Sequence, residues 1–351
     1  MSSDFLIIGG GVIGLSIAHE LHKRGAGSIA IVDKGRIGAE ASWAAAGMLA
    51  PNAECHAADE LFRLCTASNR LYPTFAAELL DETGIDIELD RTGTLVLAFN
   101  EEEAAEHAAK YVWQRTAGIS VEKLTADEVR KLEPNISENV HSGYLYPNDW
   151  QVENRKLVAA LRKYGELHGI EMIENTTVKD LSGIEAERVI VTAGAWSNDL
   201  LPNPTVKPIR GQMISLDATD SRILRHVIYS PRGYVVPRID GRVLVGATVE
   251  DAGFAKEVTP EALAGLKSVS AEIAPSLAKF DIAESWAGLR PFVEGEMPVI
   301  GRVPDLENTF VATGHYRNGI LLAPITANMI ADEILGARSR MSGQSVRKAF
   351  Q

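Results

Sequence analysis

A glycine-rich turn between an apolar run and a helical pattern constrains the fold of this chain more than any other feature. Residues 5–8 predict a buried strand, and the hydrophobic spacing of 12–24 predicts a helix. The turn between them, Gly9-Gly10-Gly11-Val12-Ile13-Gly14, fits the pattern G-x-G-x-x-G. A second apolar run, 28–32, ends in Asp33, about 20 residues beyond the last glycine. The order strand, helix, strand predicts a βαβ unit and a parallel sheet.

The chemistry of this turn suits a dinucleotide. Gly9 permits the tight turn, Gly11 lets the backbone approach a pyrophosphate, and Gly14 lets the helix pack on the strand. The helix N-terminus then faces the phosphates, and Asp33 can accept hydrogen bonds from ribose hydroxyls. The alternative is a glycine-rich turn with no ligand. The context favours a bound dinucleotide, but the fingerprint alone does not separate NAD from FAD.

The rest of the chain predicts helices and strands at both ends and in the middle. Helices are expected at 43–49, 57–83, 101–115, 152–169, 260–273 and 320–335, and strands at 94–99, 171–173, 177–181, 188–191 and 309–312. Between 207 and 249, alternating runs broken by Pro-Arg-Gly and Ile-Asp-Gly turns favour antiparallel strands. The predicted fold class is therefore α/β with α+β insertions.

This arrangement predicts a discontinuous Rossmann-like domain that binds the dinucleotide, with a second domain inserted in it. The expected dinucleotide-binding segments are 1–85, 147–205 and 285–351. The expected second domain, with a mixed or antiparallel sheet that binds substrate, comprises 86–146 and 206–284.

Charge and composition exclude several classes of partner. The net charge of −12 argues against nucleic acid or an anionic membrane as the main partner. The apolar stretch 5–18 is too short and too glycine-rich for a membrane span, and it lacks the basic segment of a signal peptide. Two cysteines without framework spacing, Cys55 and Cys65, favour free thiols in a reducing, cytoplasmic compartment.

A pair of histidines on the first predicted helix is a potential metal-binding pattern. His19 and His22 stand three residues apart but do not form H-E-x-x-H. An exposed helix face is therefore expected there, and no metal site is predicted.

Seven motifs, in order along nearly the whole chain, carry a resemblance to a known family. They read IIGGGVIGLSIAHEL, EASWAAAGMLAPNAEC, RVIVTAGAWS, GYVVPR, GRVLVGATVED, WAGLRP and GHYRNGILLAP. Together they resemble the FAD-dependent amine oxidases related to D-amino-acid oxidase. Within that family the chain is most similar to the glycine oxidase branch of thiazole biosynthesis. The predicted Rossmann-like domain would then be an FAD-binding domain.

The resemblance implies a noncovalent FAD, because relatives with covalent flavin carry a late cysteine and both cysteines here are early. The implied contacts run from the pyrophosphate to the flavin. Those at the pyrophosphate and ribose are Gly9, Gly11, Val12, Ile13, Gly14, Asp33 and Lys34, with the Val178 backbone at the adenine. Those at the ribityl chain and flavin are Ser42, Ala46, Gly47, Met48, Gly314, His315, Tyr316, Arg317, Asn318, Gly319, Ile320 and Leu321.

The same resemblance implies a substrate carboxylate held by Arg290, with Tyr234 and Arg317 beside it and Met48 near the amine. Each residue also has a structural interpretation. Arg290 could pair with an acid such as Glu284 or Glu294, Tyr234 could be a strand aromatic, and Met48 could fill the core. Glu54 and His56 would lie near the pocket entrance or in a solvated loop.

The implied activity is oxidative deamination of glycine, sarcosine or small D-amino acids, with dioxygen reduced to hydrogen peroxide. Orientation of the substrate would supply most of the catalysis, so no residue is assigned as a general base. A homo-oligomer, dimer or tetramer, is implied by the relatives. The alternatives are a sarcosine or D-amino-acid dehydrogenase with another electron acceptor, and a noncatalytic FAD-binding sensor.

Overall fold

Two large sheets with flanking helices form most of the computed structural model, which describes residues 3–219 and 223–336. The helices are α1 (Val12–Lys23), α2 (Ala41–Ala44), α3 (Pro51–Glu54), α4 (Glu60–Asn69), α5 (Tyr72–Thr83), α6 (Glu101–Thr116), α7 (Ala126–Leu132), α8 (Asn154–Leu167), α9 (Pro260–Ile273) and α10 (Gly319–Leu335). Two 3-10 helices span Gly194–Asp199 and Pro275–Lys279.

The strands alternate with these helices at both ends of the chain. They are β1 (Ser3–Ile8), β2 (Ile29–Val32), β3 (Met48–Leu49), β4 (Thr94–Ala98), β5 (Glu122–Thr125), β6 (Ser142–Tyr146), β7 (Trp150–Gln151), β8 (Glu171–Ile173), β9 (Ala186–Val191), β10 (Lys207–Leu216), β11 (Val227–Ser230), β12 (Gly233–Pro237), β13 (Val243–Gly246), β14 (Ile282–Phe292), β15 (Val299–Arg302) and β16 (Thr309–Thr313).

The first sheet is the predicted parallel sheet. Its order is β15-β16-β9-β1-β2-β8, and all neighbouring pairs except β15 with β16 are parallel. Strands β2 and β16 are buried along their whole length, as expected where helices cover both faces of a parallel sheet. The predicted α/β class and the βαβ unit are confirmed.

The second sheet joins two separate stretches of chain. Its order is β14-β10-β13-β12-β11-β4-β6-β5, and β11 pairs with β4 in parallel while its other pairs are antiparallel. The antiparallel strands predicted near 207–249 are therefore present. The predicted domain boundary between 284 and 285 falls inside β14, which pairs with β10 as far as Phe292. The remainder of the domain division stays a prediction.

Two predicted elements are wrong. Residues 43–49 do not form a helix: α2 ends at Ala44, and Gly47 has a left-handed backbone (φ 70°) that a helix cannot contain. Residues 177–181 do not form a strand. Val178 and Leu181 instead pack on an apolar cluster of the first sheet, so their alternation reflects loop packing without a hydrogen-bonded partner strand.

Across residues 3–219 and 223–336, no helix combines the length and apolarity needed to traverse a bilayer. The same part of the chain contains no group of three or more His, Cys, Asp or Glu side chains arranged to hold a metal ion.

The expectation of an exposed histidine face on α1 is wrong for His19. This side chain is buried with its ring edge-on to Tyr164 and Phe75.

Burial of His19 predicts a loss of stability in acid. Burial, aided by nearby Lys23, lowers the pKa of His19 to about 4. The unfolded chain therefore binds more protons between about pH 6.5 and pH 4, and stability falls as the pH drops through this window. His19→Phe should remove about 2 kcal/mol of this loss at about pH 5. Denaturant unfolding at about pH 5 and about pH 8 measures it.

The matched control is His56→Asn, at an exposed loop residue. It should retain the pH dependence of the unaltered chain. An equal acid loss in His19→Phe would contradict the assignment to His19.

Candidate active site

A large cavity lies where the parallel strands of the first sheet end. Ile8, Val32, Thr192 and Thr313, at the carboxyl ends of β1, β2, β9 and β16, line it. Ligands of open α/β sheets bind at this edge. The opposite wall comes from the second sheet, chiefly β10, β12 and β14.

Gly9 and Gly14 of the glycine-rich turn pack against backbone, whereas Gly11 has no such contact in the described chain; Gly9 and Gly11 both line the cavity. A Cβ on Gly9 would lie 2.4 Å from the Thr192 carbonyl oxygen, and one on Gly14 would lie 2.1 Å from the Gly9 carbonyl oxygen. Gly11 lines the cavity in extended backbone (φ −74°), and of the described atoms only the Ser42 hydroxyl, at 3.3 Å, would lie within 4 Å of its Cβ. The turn therefore leaves bare backbone at Gly11 for a ligand to approach.

Asp33 is fixed at the end of β2 with its carboxylate in the cavity lining. One oxygen accepts from the Gly10 N–H at 2.7 Å and the other accepts from the Gly35 N–H at 2.8 Å. A carboxylate has about four acceptor sites, so it retains capacity for ribose hydroxyls. The Lys34 ammonium lies 3.3 Å from the ring centroid of Trp196, and burial lowers the pKa of this lysine.

The small-residue segment 42–48 is held in a fixed shape by side chains from other elements. The Asn154 amide donates to the Ser42 carbonyl at 2.9 Å, and Arg238 donates to the Ala46 carbonyl at 2.9 Å. Burial lowers the pKa of Arg238 to about 10, so it remains charged at neutral pH. Gly47 completes the segment in its left-handed conformation. The segment thus presents a preshaped wall to the cavity.

The turn from β16 into α10 forms another wall of the cavity, and it contains most of the residues predicted to contact the flavin. Those that line the cavity are His315, Tyr316, Arg317, Asn318, Gly319 and Ile320. The cavity lining does not include Gly314, which has a left-handed backbone and packs against Val293, or Leu321, which is fully buried in the core. Gly14 is also outside the lining, because it packs α1 on β1.

His315 contributes shape without charge. It is buried, its Nε2 lies 3.0 Å from the Thr326 hydroxyl, and burial lowers its pKa to about 3. The positive charges of the cavity are therefore those of its arginines and Lys34.

Arg290 lies on β14 with its guanidinium flat against the backbone of β10. A Cβ on Gly211 would lie 2.2 Å from Arg290 Nη1, so only glycine leaves room. Nη1 donates to the Thr248 carbonyl at 3.1 Å and more distantly to the Arg210 carbonyl at 3.4 Å.

No ion pair to Arg290 exists within the described ranges. The proposed competitor Glu284 pairs with Arg155 at 2.8 Å instead, and Glu294 is exposed. A guanidinium that lines a cavity without a carboxylate partner is suited to bind an external carboxylate.

Tyr234 and Arg317 line the cavity with Arg290. Tyr234 is buried on β12, and burial raises the pKa of its hydroxyl although Arg290 and Arg317 act in the opposite direction. Arg317 Nε lies 4.0 Å from Glu54 Oε2. Burial opposes the charge of Arg317, but Glu54 and nearby tyrosines outweigh it and raise its pKa. Glu54 therefore only partly satisfies this guanidinium, whose geometry allows further hydrogen bonds.

The remaining predicted residues divide between the cavity and the surface. Met48 is half-buried and lines the cavity, as do Ser42, Val178 and Glu54. His56 is exposed and outside the lining, so the solvated-loop interpretation applies to it.

Comparison with known proteins assigns the family. Residues 4–333 match the family described as FAD dependent oxidoreductase, DAO. The chain belongs to this family. Membership confirms the predicted resemblance and the predicted cofactor, FAD. Noncovalent attachment remains a prediction, consistent with free Cys55 and Cys65 thiols outside the cavity lining.

Relatives in this family resemble the chain along nearly its full length. It is 36% identical to the bifunctional protein ThiO/ThiG of Trichormus variabilis over 97% of this chain and 54% of that protein. The chain thus spans about half the length of those bifunctional relatives. It is 36% identical to the glycine oxidase of Geobacillus kaustophilus over 94% of this chain and 92% of that protein. The crystal structure of glycine oxidase from the same organism superposes with a TM-score of 0.93 at 34% identity, covering 97% and 96% of the two chains.

The residues present fit the family cofactor. Bare backbone at Gly11 and the fixed carboxylate of Asp33 suit a pyrophosphate and a ribose. The held segment 42–48 and the α10 turn form the walls for a flat ring at the other end.

Sequence reasoning missed several residues of this DAO-family site. Arg238 and Asn154 hold the small-residue segment, and Glu40 and Gly211 line the cavity. Gly211 had a usable signal, because a lone glycine within a strand indicates close approach by another group. Arg238 closes the GYVVPR motif, but nothing in the sequence showed that its charge would be buried.

Proposed function

We propose that this chain oxidises glycine, and related small amine-bearing acids such as sarcosine or small D-amino acids, by oxidative deamination. The observation that carries the proposal is the Arg290 guanidinium, which lines the FAD cavity without a carboxylate partner in the described chain. The glycine oxidases among its relatives support glycine as the substrate.

Arg290 and Tyr234 would bind the substrate carboxylate, with Arg317 as a second source of positive charge. A guanidinium offers two parallel N–H groups to a carboxylate, and a phenol adds a third donor. Fixing the carboxylate also fixes the adjacent α-carbon. Holding reacting groups in the correct orientation supplies much of the rate acceleration of such reactions. Met48 would shape the space at the amine.

The N-terminus of α10 adds an electrostatic contribution. It begins at Gly319 in the cavity lining, and its cap residue Asn318 makes no side-chain cap hydrogen bond. The partial positive charge at a helix N-terminus favours negative charge nearby. FAD, when bound, would supply the two-electron oxidation that removes a hydride from the α-carbon and a proton from the amine, with dioxygen as the final acceptor reduced to hydrogen peroxide. The imino acid then hydrolyses to the oxo acid and ammonia.

The test is anaerobic addition of glycine to the purified yellow protein while the visible flavin band is recorded. Bleaching by glycine, with recovery of colour and peroxide release on admission of air, is the expected result. If glycine, sarcosine and D-alanine all fail to bleach the flavin, the result would favour the alternative of a noncatalytic FAD-binding sensor. Bleaching that air does not reverse, with turnover only on addition of a dye, would indicate the dehydrogenase.

We further propose that the activity serves thiazole and thiamine biosynthesis, and the similarity to ThiO/ThiG proteins supports this proposal. Free cysteine thiols favour a reducing, cytoplasmic location. We also propose that the chain assembles as a homodimer or homotetramer.

A further inference from the structure

The loop between β13 and α9 is anchored at both of its ends by one strand. We define the bridging loop as residues 250–259. Arg210 of β10 pairs with the Glu250 backbone, its Nε donates to the Glu250 carboxylate at 3.1 Å, and its Nη1 donates to the Glu257 carbonyl at 3.2 Å. Gln212 donates to Glu250 at 2.8 Å and accepts from the Thr259 N–H at 2.7 Å. The loop therefore leaves the second sheet and returns to it at fixed points.

The middle of the bridging loop contacts two residues of the cofactor cavity. The Phe254 ring stacks on Trp196, with centroids 5.5 Å apart and planes inclined by 28°. The Lys256 ammonium lies 3.0 Å from each carboxylate oxygen of Glu40. Trp196 and Glu40 line the cavity, whereas Phe254 and Lys256 lie outside the lining.

Topology places these two contacts on either side of the glycine-rich turn. Trp196 follows β9 and Glu40 follows β2, and β1 lies between these strands in the sheet. Strands spaced about 4.8 Å apart put β9 and β2 about 10 Å from each other. Phe254 and Lys256 stand two residues apart in the loop, and each makes one of the two contacts. The loop thus contacts two cavity-lining residues that follow the strands on either side of β1.

The aromatic contact of Phe254 is with Trp196. The side chain is 51% exposed, so it gains less from burial than a core aromatic. Its stacking partner is held in turn by the Lys34 ammonium. The contact therefore braces a cavity wall more than it fills a core.

We propose that Phe254 and Lys256 are positioning residues that retain FAD. By holding Trp196 and Glu40, they close the outer side of the cavity beside the phosphate-binding turn, and the cofactor leaves only after these contacts open. The inference depends on FAD binding and not on which substrate is oxidised.

Each contact has its own expected effect on the dissociation rate. An aromatic pair of this kind corresponds to about a threefold to tenfold change in rate. The Lys256–Glu40 pair is partly exposed, so its effect is about threefold at low salt and vanishes at high salt.

The experiment measures FAD release after dilution of the holoprotein, by the rise in free-flavin fluorescence. Phe254→Ala should release FAD about threefold to tenfold faster, and Phe254→Tyr, which keeps the ring, should restore the rate. Lys256→Met should release faster at low salt and lose the salt dependence of the unaltered protein. Val249→Ala, at an exposed residue just before the loop, is the matched control and should release at the unaltered rate.

Unchanged release from both Phe254→Ala and Lys256→Met would overturn the proposal. Failure of Phe254→Tyr to restore the rate would also overturn it, because a general weakening of the loop would then explain the data. Anaerobic bleaching by glycine tests the proposed oxidation separately, so the two ideas can fail independently.

Discussion

Arg290→Ala should raise the KM for glycine by about two to three orders of magnitude while the protein stays yellow. Loss of one partner from a buried hydrogen-bonded charge pair costs about 2–5 kcal/mol, and each 1.4 kcal/mol is tenfold in affinity. The guanidinium rests on Gly211 and lacks a carboxylate partner in the described part of the chain, so its removal unpairs no protein carboxylate. Steady-state kinetics with FAD content measured in parallel would check this.

A structural role for Arg290 gives a different pattern. Its bonds to the Thr248 and Arg210 carbonyls could instead brace β10. Arg290→Lys should then rescue activity, and Arg290→Ala should lower FAD content and thermal stability with KM unchanged. The matched variant Arg317→Ala should weaken inhibition by acetate. Its KM for glycine should rise less than that of Arg290→Ala, because Glu54 already partly pairs with the Arg317 guanidinium.

Gly11→Val should yield a folded but colourless protein. Gly11 has extended backbone that any residue adopts, and the space above it opens to the cavity. A branched side chain would occupy the place where the pyrophosphate approaches, and FAD affinity should fall by about 100-fold or more, since overpacking and lost phosphate contacts add. Absorbance of the purified protein and FAD titration of the apoprotein measure the effect.

Two other glycines separate cofactor loss from misfolding. At Gly14 a Cβ would lie 2.1 Å from a backbone oxygen, so Gly14→Val should fail to fold. At Gly265, on α9, a Cβ would meet no atom of residues 3–219 or 223–336 within 4 Å, so the Gly265→Val protein should stay yellow. Normal FAD content in Gly11→Val would refute the assignment of this turn to the pyrophosphate.

The dinucleotide-binding part of the fold could be predicted from sequence because its signals are local. Residues 5–33 contain strand, turn, helix and strand within one short stretch, so spacing alone predicts the unit. The helix predicted over 43–49 was wrong for a reason that is not local. Gly47 is held left-handed by a segment that Arg238 and Asn154 fasten from distant parts of the chain.

The residues of the candidate site also divide into those that local sequence predicts and those that depend on contacts between distant parts of the chain. Gly9, Gly11 and Asp33 follow from a short motif, whereas Arg290 and Tyr234 were named only through family resemblance. Nothing near Arg290 in sequence indicates that it lies on Gly211 of β10, because that contact depends on pairing between strands far apart in the chain. Cross-strand placement is a tertiary property, and sequence periodicity does not report it.

The cavity draws on both the first and the last described strands, which has a consequence for how the protein is made. β1 leaves the ribosome early, but its neighbour β9 and then β16 with the start of α10 follow only near residues 186–191 and 309–320. A nascent polypeptide therefore lacks one wall of the flavin pocket until nearly all of the described chain has been translated. Flavin capture is accordingly a late event in biogenesis, after β16 and the start of α10 have been made.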